Sequence, residues 1–161
     1  MKADPQTRRQ FCARTCSAAA VAALGAAFAS ALQGCGGGGG PTSPGGLSAT
    51  SLPQVTGTPS GQSITVTIDG TALAPVGALV LVRTTIGDVL VAHTGADAFT
   101  ALASVCTHQA CEITGYAGQT FVCPCHGSQF DASGRVLSGP APVALRQYTT
   151  QFANGVLTIS A

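Results

Sequence analysis

The chain has 161 residues, only 8% of them charged, with a formal net charge of +1 and no Trp. That length allows one folded domain, and with Lys2, Arg8, Arg9 and Arg14 gathered at the N-terminus, no basic face is left over to bind nucleic acid. From Cys35 onward, Arg83, Arg135 and Arg146 stand against Asp69, Asp88, Asp97, Glu112 and Asp131, a formal charge of −2.

Residues 1–34 read as an export segment: a basic head, an uncharged run from Ser17 to Leu32, and small residues at its end. At 16 residues the run falls short of the roughly 20 that a spanning helix needs. Thr7-Arg8-Arg9-Gln10-Phe11 resembles a twin-arginine signal, the route that exports proteins already folded, with Cys12 where Leu is often found. Leu32-Gln33-Gly34-Cys35 resembles a bacterial lipobox, which implies lipidation at Cys35 and a place on the periplasmic side of the cytoplasmic membrane. Ala29-Ser30-Ala31 is a competing cleavage site that would leave Cys35 a free thiol, and an uncleaved short anchor is a third reading.

Residues 35–60 hold GGGGG, PTSPGG and further Ser, Thr, Pro and Gly, a composition that buries too little apolar surface to fold. They read as a linker with a root-mean-square reach of about 30 Å. The folded domain is expected over 61–161. From Gln62 the pattern alternates, with Ile64, Val66 and Ile68 on one face and Ser63, Thr65 and Thr67 on the other, as a half-buried strand requires. Strands are predicted at 78–84, 87–93 and 98–105, the first two joined at Thr85-Ile86-Gly87, and again at 120–123, 134–137, 143–152 and 155–160. Asn154-Gly155 signals a tight final hairpin. Short strands with Gly-rich turns predict an all-β fold, an antiparallel sandwich or small barrel.

Two short stretches carry the chemistry. CTHQAC at 106–111 places Cys106 and His108 two positions apart, and CPCHGSQFD at 123–131 places Cys123 and His126 three apart. Each presents one thiol and one imidazole to a shared centre. Pro124 stiffens the second stretch and Gly127 lets it turn tightly. Cys111 and Cys125 remain, one in each stretch. A tetrahedral Cys2His2 zinc site is the competing use of the same four donors.

C-T-H-x-x-C followed by C-P-C-H-G-S resembles the Rieske iron–sulfur signature in its disulfide-containing form, most closely over 104–142. The resemblance implies one 2Fe-2S cluster, with Cys106 and Cys123 on one iron and His108 and His126 on the other. It implies a Cys111–Cys125 disulfide tying the two loops together, against the alternative of reduced core cysteines; export to an oxidising compartment favours the bridge. With Cys12 and Cys16 in the export segment and Cys35 lipidated, no cysteine is then left odd. Gly139-Pro140-Ala141-Pro142 resembles the family's segment that closes over the cluster from a third side.

Ser128 matches the family serine that donates to a bridging sulfide, while Phe130 stands where high-potential members have Tyr. A midpoint potential below that of members with both hydroxyls is expected. Asp131 is expected to serve the loop backbone, and His93 to be structural.

The implied function is one-electron transfer, without substrate chemistry of the chain's own. The partners implied are redox proteins, with the chain as iron–sulfur subunit of a quinol-oxidising complex of the cytochrome bc type or of an arsenite-oxidase-like complex. It would be held to the membrane by lipid or an N-terminal anchor, and no nucleic acid is involved. The other readings are the ferredoxin component of a ring-hydroxylating oxygenase, which the export segment disfavours, and a non-redox zinc-binding lipoprotein. A complete oxygenase is not expected, since the length leaves no room for a mononuclear-iron domain.

Overall fold

The computed structural model describes residues Ser48–Ser160. Among them the regular elements are all strands: β1 (Thr50–Ser51), β2 (Gln54–Thr56), β3 (Thr58–Ser60), β4 (Ser63–Thr67), β5 (Leu79–Arg83), β6 (Val89–Gly95), β7 (Ala98–Ala103), β8 (Gly115–Ala117), β9 (Thr120–Val122), β10 (Gln129–Phe130), β11 (Val136–Ser138), β12 (Gln147–Ala153) and β13 (Val156–Ser160). The all-β expectation holds. The export segment and the lipidation site at Cys35 lie outside the described residues.

The strands form two sheets. The larger runs β2-β5-β6-β7-β12-β13-β4-β3 and the smaller β1-β8-β9-β10-β11. The edges of the larger sheet, β2 and β3, are consecutive in the chain, so the sheet curls into a nearly closed barrel. Gly57, between them, donates its N–H to the Arg83 carbonyl at 3.0 Å. A Cβ at Gly57 would lie 2.7 Å from both Ile64 and Val82 side chains, so only glycine lets the chain close this corner.

Strands β5 and β6 read as continuous apolar runs, and the reason is burial on both faces. Leu79, Leu81, Leu90 and Ala92 pack with Cys106, Cys123, Phe121 and Phe130 between the barrel and the small sheet. The alternate residues Val80, Val82, Val89 and Val91 pack inside the barrel with Ile64, Val66, Phe99 and Leu157. Strand β4 has one buried face, and Ile64, Val66 and the following Ile68 are its buried residues. At the predicted final hairpin, Ala153 pairs with Val156. Asn154 and Gly155 take φ of 52° and 74°, the double left-handed turn that matches strand twist.

Three expectations need correction. Residues 50–60 are not linker: they form β1, β2 and β3, with Leu52 and Val55 buried. Their polar composition hides a backbone that pairs along one edge of each strand, with further bonds from Leu52 N–H to Thr114 O at 2.7 Å and from Leu81 N–H to Pro53 O at 2.9 Å. The architecture is not purely antiparallel, because β2 runs parallel to β5. Residues 143–146 are not strand; β12 starts at Gln147, and the preceding backbone bonds irregularly, Val143 O accepting from the Thr107 hydroxyl, Leu145 N–H donating to Gly134 O and Arg146 O accepting from the Ala103 N–H. Strands β8 and β10, of three and two residues, are too short to show an alternating pattern and were not expected.

Candidate metal centre

Two loops lie at one end of the small sheet and are built alike. The first leaves β7 and is closed at its neck by a bridge between Val105 and Glu112, with Ile113 N–H donating to Ser104 O at 2.8 Å. Inside it, Cys106 N–H donates to Cys111 O at 2.8 Å and Ala110 N–H to Cys106 O at 3.1 Å. The second connects β9 to β10. There Cys123 N–H donates to Ser128 O at 2.8 Å and Gly127 N–H to Cys123 O at 3.0 Å. The same two bonds, five and four residues long, fold both loops around a cysteine at the first position.

That cysteine is buried and free in both cases: Cys106 and Cys123 are 2% and 1% exposed and neither is in a disulfide. Burial pushes the Cys123 thiol up. The Cys125 backbone N–H opposes that shift, and the neighbouring Cys106 thiol adds to it. The imidazoles of His108 and His126 stand edge to face with centroids 4.8 Å apart. His108 Nδ1 is buried without a hydrogen-bond partner, which a native structure tolerates when that atom has another use. Two buried thiols, paired imidazoles and an orphaned ring nitrogen fit a centre taking two sulfur and two nitrogen donors.

Cys111 and Cys125 are joined in a disulfide with Cα atoms 6.5 Å apart. Their sulfurs lie within 4.8 Å of the Cys123 sulfur, but bonded to each other they have no lone thiolate to give a metal. They link the two loops beside the ligand positions.

The segment Gly139–Pro142 lies against the second loop, and Val143, which follows it, reaches the first. A Cβ on Gly139, which has φ of 94°, would fall 2.6 Å from the Ser128 Cα. The Ala141 N–H donates to Ser128 Oγ at 3.2 Å, and Thr107 Oγ1 donates to Val143 O at 2.7 Å. Ser128 is fully buried; its oxygen accepts from Ala141, so its own proton stays free to donate. Phe130 is fully buried in the same apolar cluster as Cys106 and Cys123 and offers no donor. Asp131 Oδ1 accepts from the N–H groups of Ser133 and Arg135, both at 2.9 Å, and from the Ser133 hydroxyl at 2.6 Å, the loop-capping role expected of it. His93 is buried in β6, stacked on Phe99 with centroids 4.2 Å apart.

Sequence reading did not single out Thr107, Ala110 or the group Arg83, Asp88 and Glu112. Thr107 sits inside the motif, and Ala110 occupies a left-handed position, φ 54°, that its residue type does not announce. Arg83 and Asp88 flank the expected turn at 85–87, a spacing compatible with a local ion pair, but Glu112 joins them only through the fold.

The Rieske [2Fe-2S] domain family model matches residues 51–149, a span that begins within β1. The chain is 34% identical over 73 residues to a cytochrome b6-f complex iron-sulfur subunit of Chlorobaculum tepidum, covering 45% of this chain and 39% of that protein. It is 45% identical over 60 residues to the Rieske subunit of the mitochondrial cytochrome b-c1 complex of Rattus norvegicus, covering 36% and 22%. The chain thus spans well under half the length of the curated relatives it matches. Among solved structures, the plasma membrane Rieske protein PetC3 of Synechocystis PCC 6803 is 36% identical, with a TM-score of 0.47 over 52% of this chain and 86% of that one. The cofactor is one 2Fe-2S cluster, and the zinc reading of the four donors falls with it. With the family model covering more than half its length, the chain belongs to the Rieske [2Fe-2S] domain family.

Proposed function

We propose that the chain is an exported one-electron carrier, tethered on the periplasmic side of a bacterial cytoplasmic membrane. In this reading it is the iron–sulfur subunit of an oxidoreductase complex. Cys106 and Cys123 hold one iron, and His108 and His126 hold the other. When bound, the cluster supplies a one-electron couple. The carrying observation is the pair of matched loops, each with a buried free cysteine and a histidine, whose imidazoles meet at 4.8 Å.

The chain's own residues have separable tasks. His126 is exposed and forms the contact through which an electron enters or leaves. With His108 Nδ1 buried and without a hydrogen-bond partner, that nitrogen is the one left to face the metal. The disulfide and the Gly139–Pro142 segment hold the loops in register and keep water from the sulfurs, while the Ser128 hydroxyl stabilises added negative charge. Relatives named as subunits of cytochrome b6-f and b-c1 complexes support a quinol-oxidising complex as partner. Phe130 in place of a donor favours a lower-potential one, such as an arsenite-oxidase-like complex. The lipobox-like sequence at Cys35 supports lipid tethering.

The test is the visible absorption and low-temperature EPR spectrum of the full chain, reduced and oxidised. A coloured protein with a reduced-state signal from a histidine-ligated cluster is expected. A colourless protein holding one zinc ion overturns the reading.

A further inference from the structure

The first ligand loop is anchored to the barrel at its neck, through residues that flank the span holding its ligands. Arg83, the last residue of β5, carries one guanidinium nitrogen, Nη1, that bonds both Asp88 and, at 2.8 Å, the Glu112 carboxylate. Asp88 is itself held: its Oδ1 accepts the Thr84 N–H at 3.0 Å, and its backbone carbonyl accepts the Ser104 hydroxyl at 2.9 Å. Ser104 and Glu112 stand on opposite sides of the neck of the Cys106–Cys111 loop. One side is therefore tied to Asp88 by a hydroxyl, the other through the guanidinium.

We infer that Arg83 is a positioning residue for the metal centre, locking the neck of the first ligand loop onto the β5–β6 turn. Glu112 follows Cys111 directly, and Cys111 is bonded to Cys125 beside His126, so the same grip reaches the second loop. The group is partly exposed, with 38%, 19% and 37% of the Arg83, Asp88 and Glu112 side chains open to solvent. Ion pairs of that exposure add little to global stability. Their effect is local: without the guanidinium two carboxylates face each other, and the Glu112 side of the neck swings away. The proposal rests on reading Cys106 and His108 as iron ligands, and its test has one arm that does not need the metal.

Arg83→Met and Arg83→Lys are compared with the wild-type full chain. In the cluster-free protein, amide hydrogen exchange at Cys106 and Ile113 should be at least tenfold faster in R83M, with β6 and β7 amides unchanged, because the neck opens locally. In the loaded protein the EPR signal should broaden and the midpoint potential fall, and R83K should recover most of both. Wild-type exchange, line shape and potential in folded R83M overturn the proposal. If R83M does not fold, Glu112→Gln weakens only the loop-side half of the grip; smaller changes of the same sign support the proposal, and unchanged exchange and spectra overturn it. A wild-type chain that takes up no 2Fe-2S cluster defeats the reading of the site instead, and the exchange arm still judges Arg83.

Discussion

Ala110 and Gly127 are counterparts. Each stands four residues after a buried free cysteine and donates its N–H to that cysteine's carbonyl, at 3.1 and 3.0 Å, and each holds left-handed backbone, with φ of 54° and 73°. The first loop asks of an alanine what the second asks of a glycine. A left-handed conformation costs an L-residue about 1–2 kcal/mol, partly offset because glycine loses about 0.5–1 kcal/mol more entropy on ordering. Gly127→Ala should therefore destabilise the domain by about 1 kcal/mol, and Ala110→Gly should leave it unchanged or stabilise it by up to about 1 kcal/mol. Chemical denaturation of both variants checks this, and equal losses in the two would show that the loops are not equivalent.

Loss of one ligand should empty the centre. His126→Ala and Cys123→Ser are expected to remove the visible absorption and the EPR signal while far-UV circular dichroism keeps its all-β form, since the barrel core of Val80, Val82, Val91 and Leu157 does not involve either residue. Full signals in H126A would mean that another group holds the second iron.

Phe130→Tyr should raise the midpoint potential. Phe130 is fully buried with Cys106 and Cys123, so a hydroxyl there would act in a low dielectric, in the same cluster as the sulfurs that the proposed function makes iron ligands. For a one-electron couple 59 mV corresponds to about 1.4 kcal/mol. Only the part of the hydrogen bond that differs between redox states counts, and a rise of some tens of millivolts is expected. Protein-film voltammetry at one pH measures it; an unchanged or lowered potential would mean that the hydroxyl finds no sulfur.

Acid should loosen the site from two directions. Burial raises the Asp131 carboxyl, but the Ser133 hydroxyl and the Arg135 and Ser133 N–H groups more than offset this and hold it below its ordinary value. Asp88 behaves likewise, burial being outweighed by the hydrogen bonds from Arg83 and Thr84. A folded value below the unfolded one means stability fully present above about pH 4, the unfolded carboxylate value, and lost as pH falls through the folded value. Asp131→Asn should flatten part of that acid limb; a variant whose acid unfolding superimposes on the wild type would remove Asp131 from the account.

If Cys35 carries lipid, Cys35→Ser should move the protein from the membrane fraction to the soluble periplasm, because the acyl chains supply the anchoring free energy. Equal membrane retention of the variant would point to an uncleaved anchor or a tight partner.

The sequence by itself determined the family's two motifs, with their candidate donors, and the scaffold class. Cys106, His108, Cys123 and His126 lie in two short motifs whose spacing is local, and the alternation of Ile64, Val66 and Ile68 or the turn at Asn154-Gly155 is written within a few residues. What it did not show was set by partners far along the chain. Strand β2 exists because Val55 pairs in register with Val82, and neither the polar residues around Val55 nor its short length carries a period. The Ser128 oxygen finds the Ala141 N–H, and Thr107 the Val143 carbonyl, only once the Gly139–Pro142 segment has folded back. Arg83, Asp88 and Glu112 become one group only when β5, the following turn and the first ligand loop come together. Hydrophobic period and turn chemistry are local properties of a chain. Which backbone edge meets which strand, and which carboxylates share one guanidinium, is decided by closing loops of tens of residues around a common core, and only the tertiary structure holds that information.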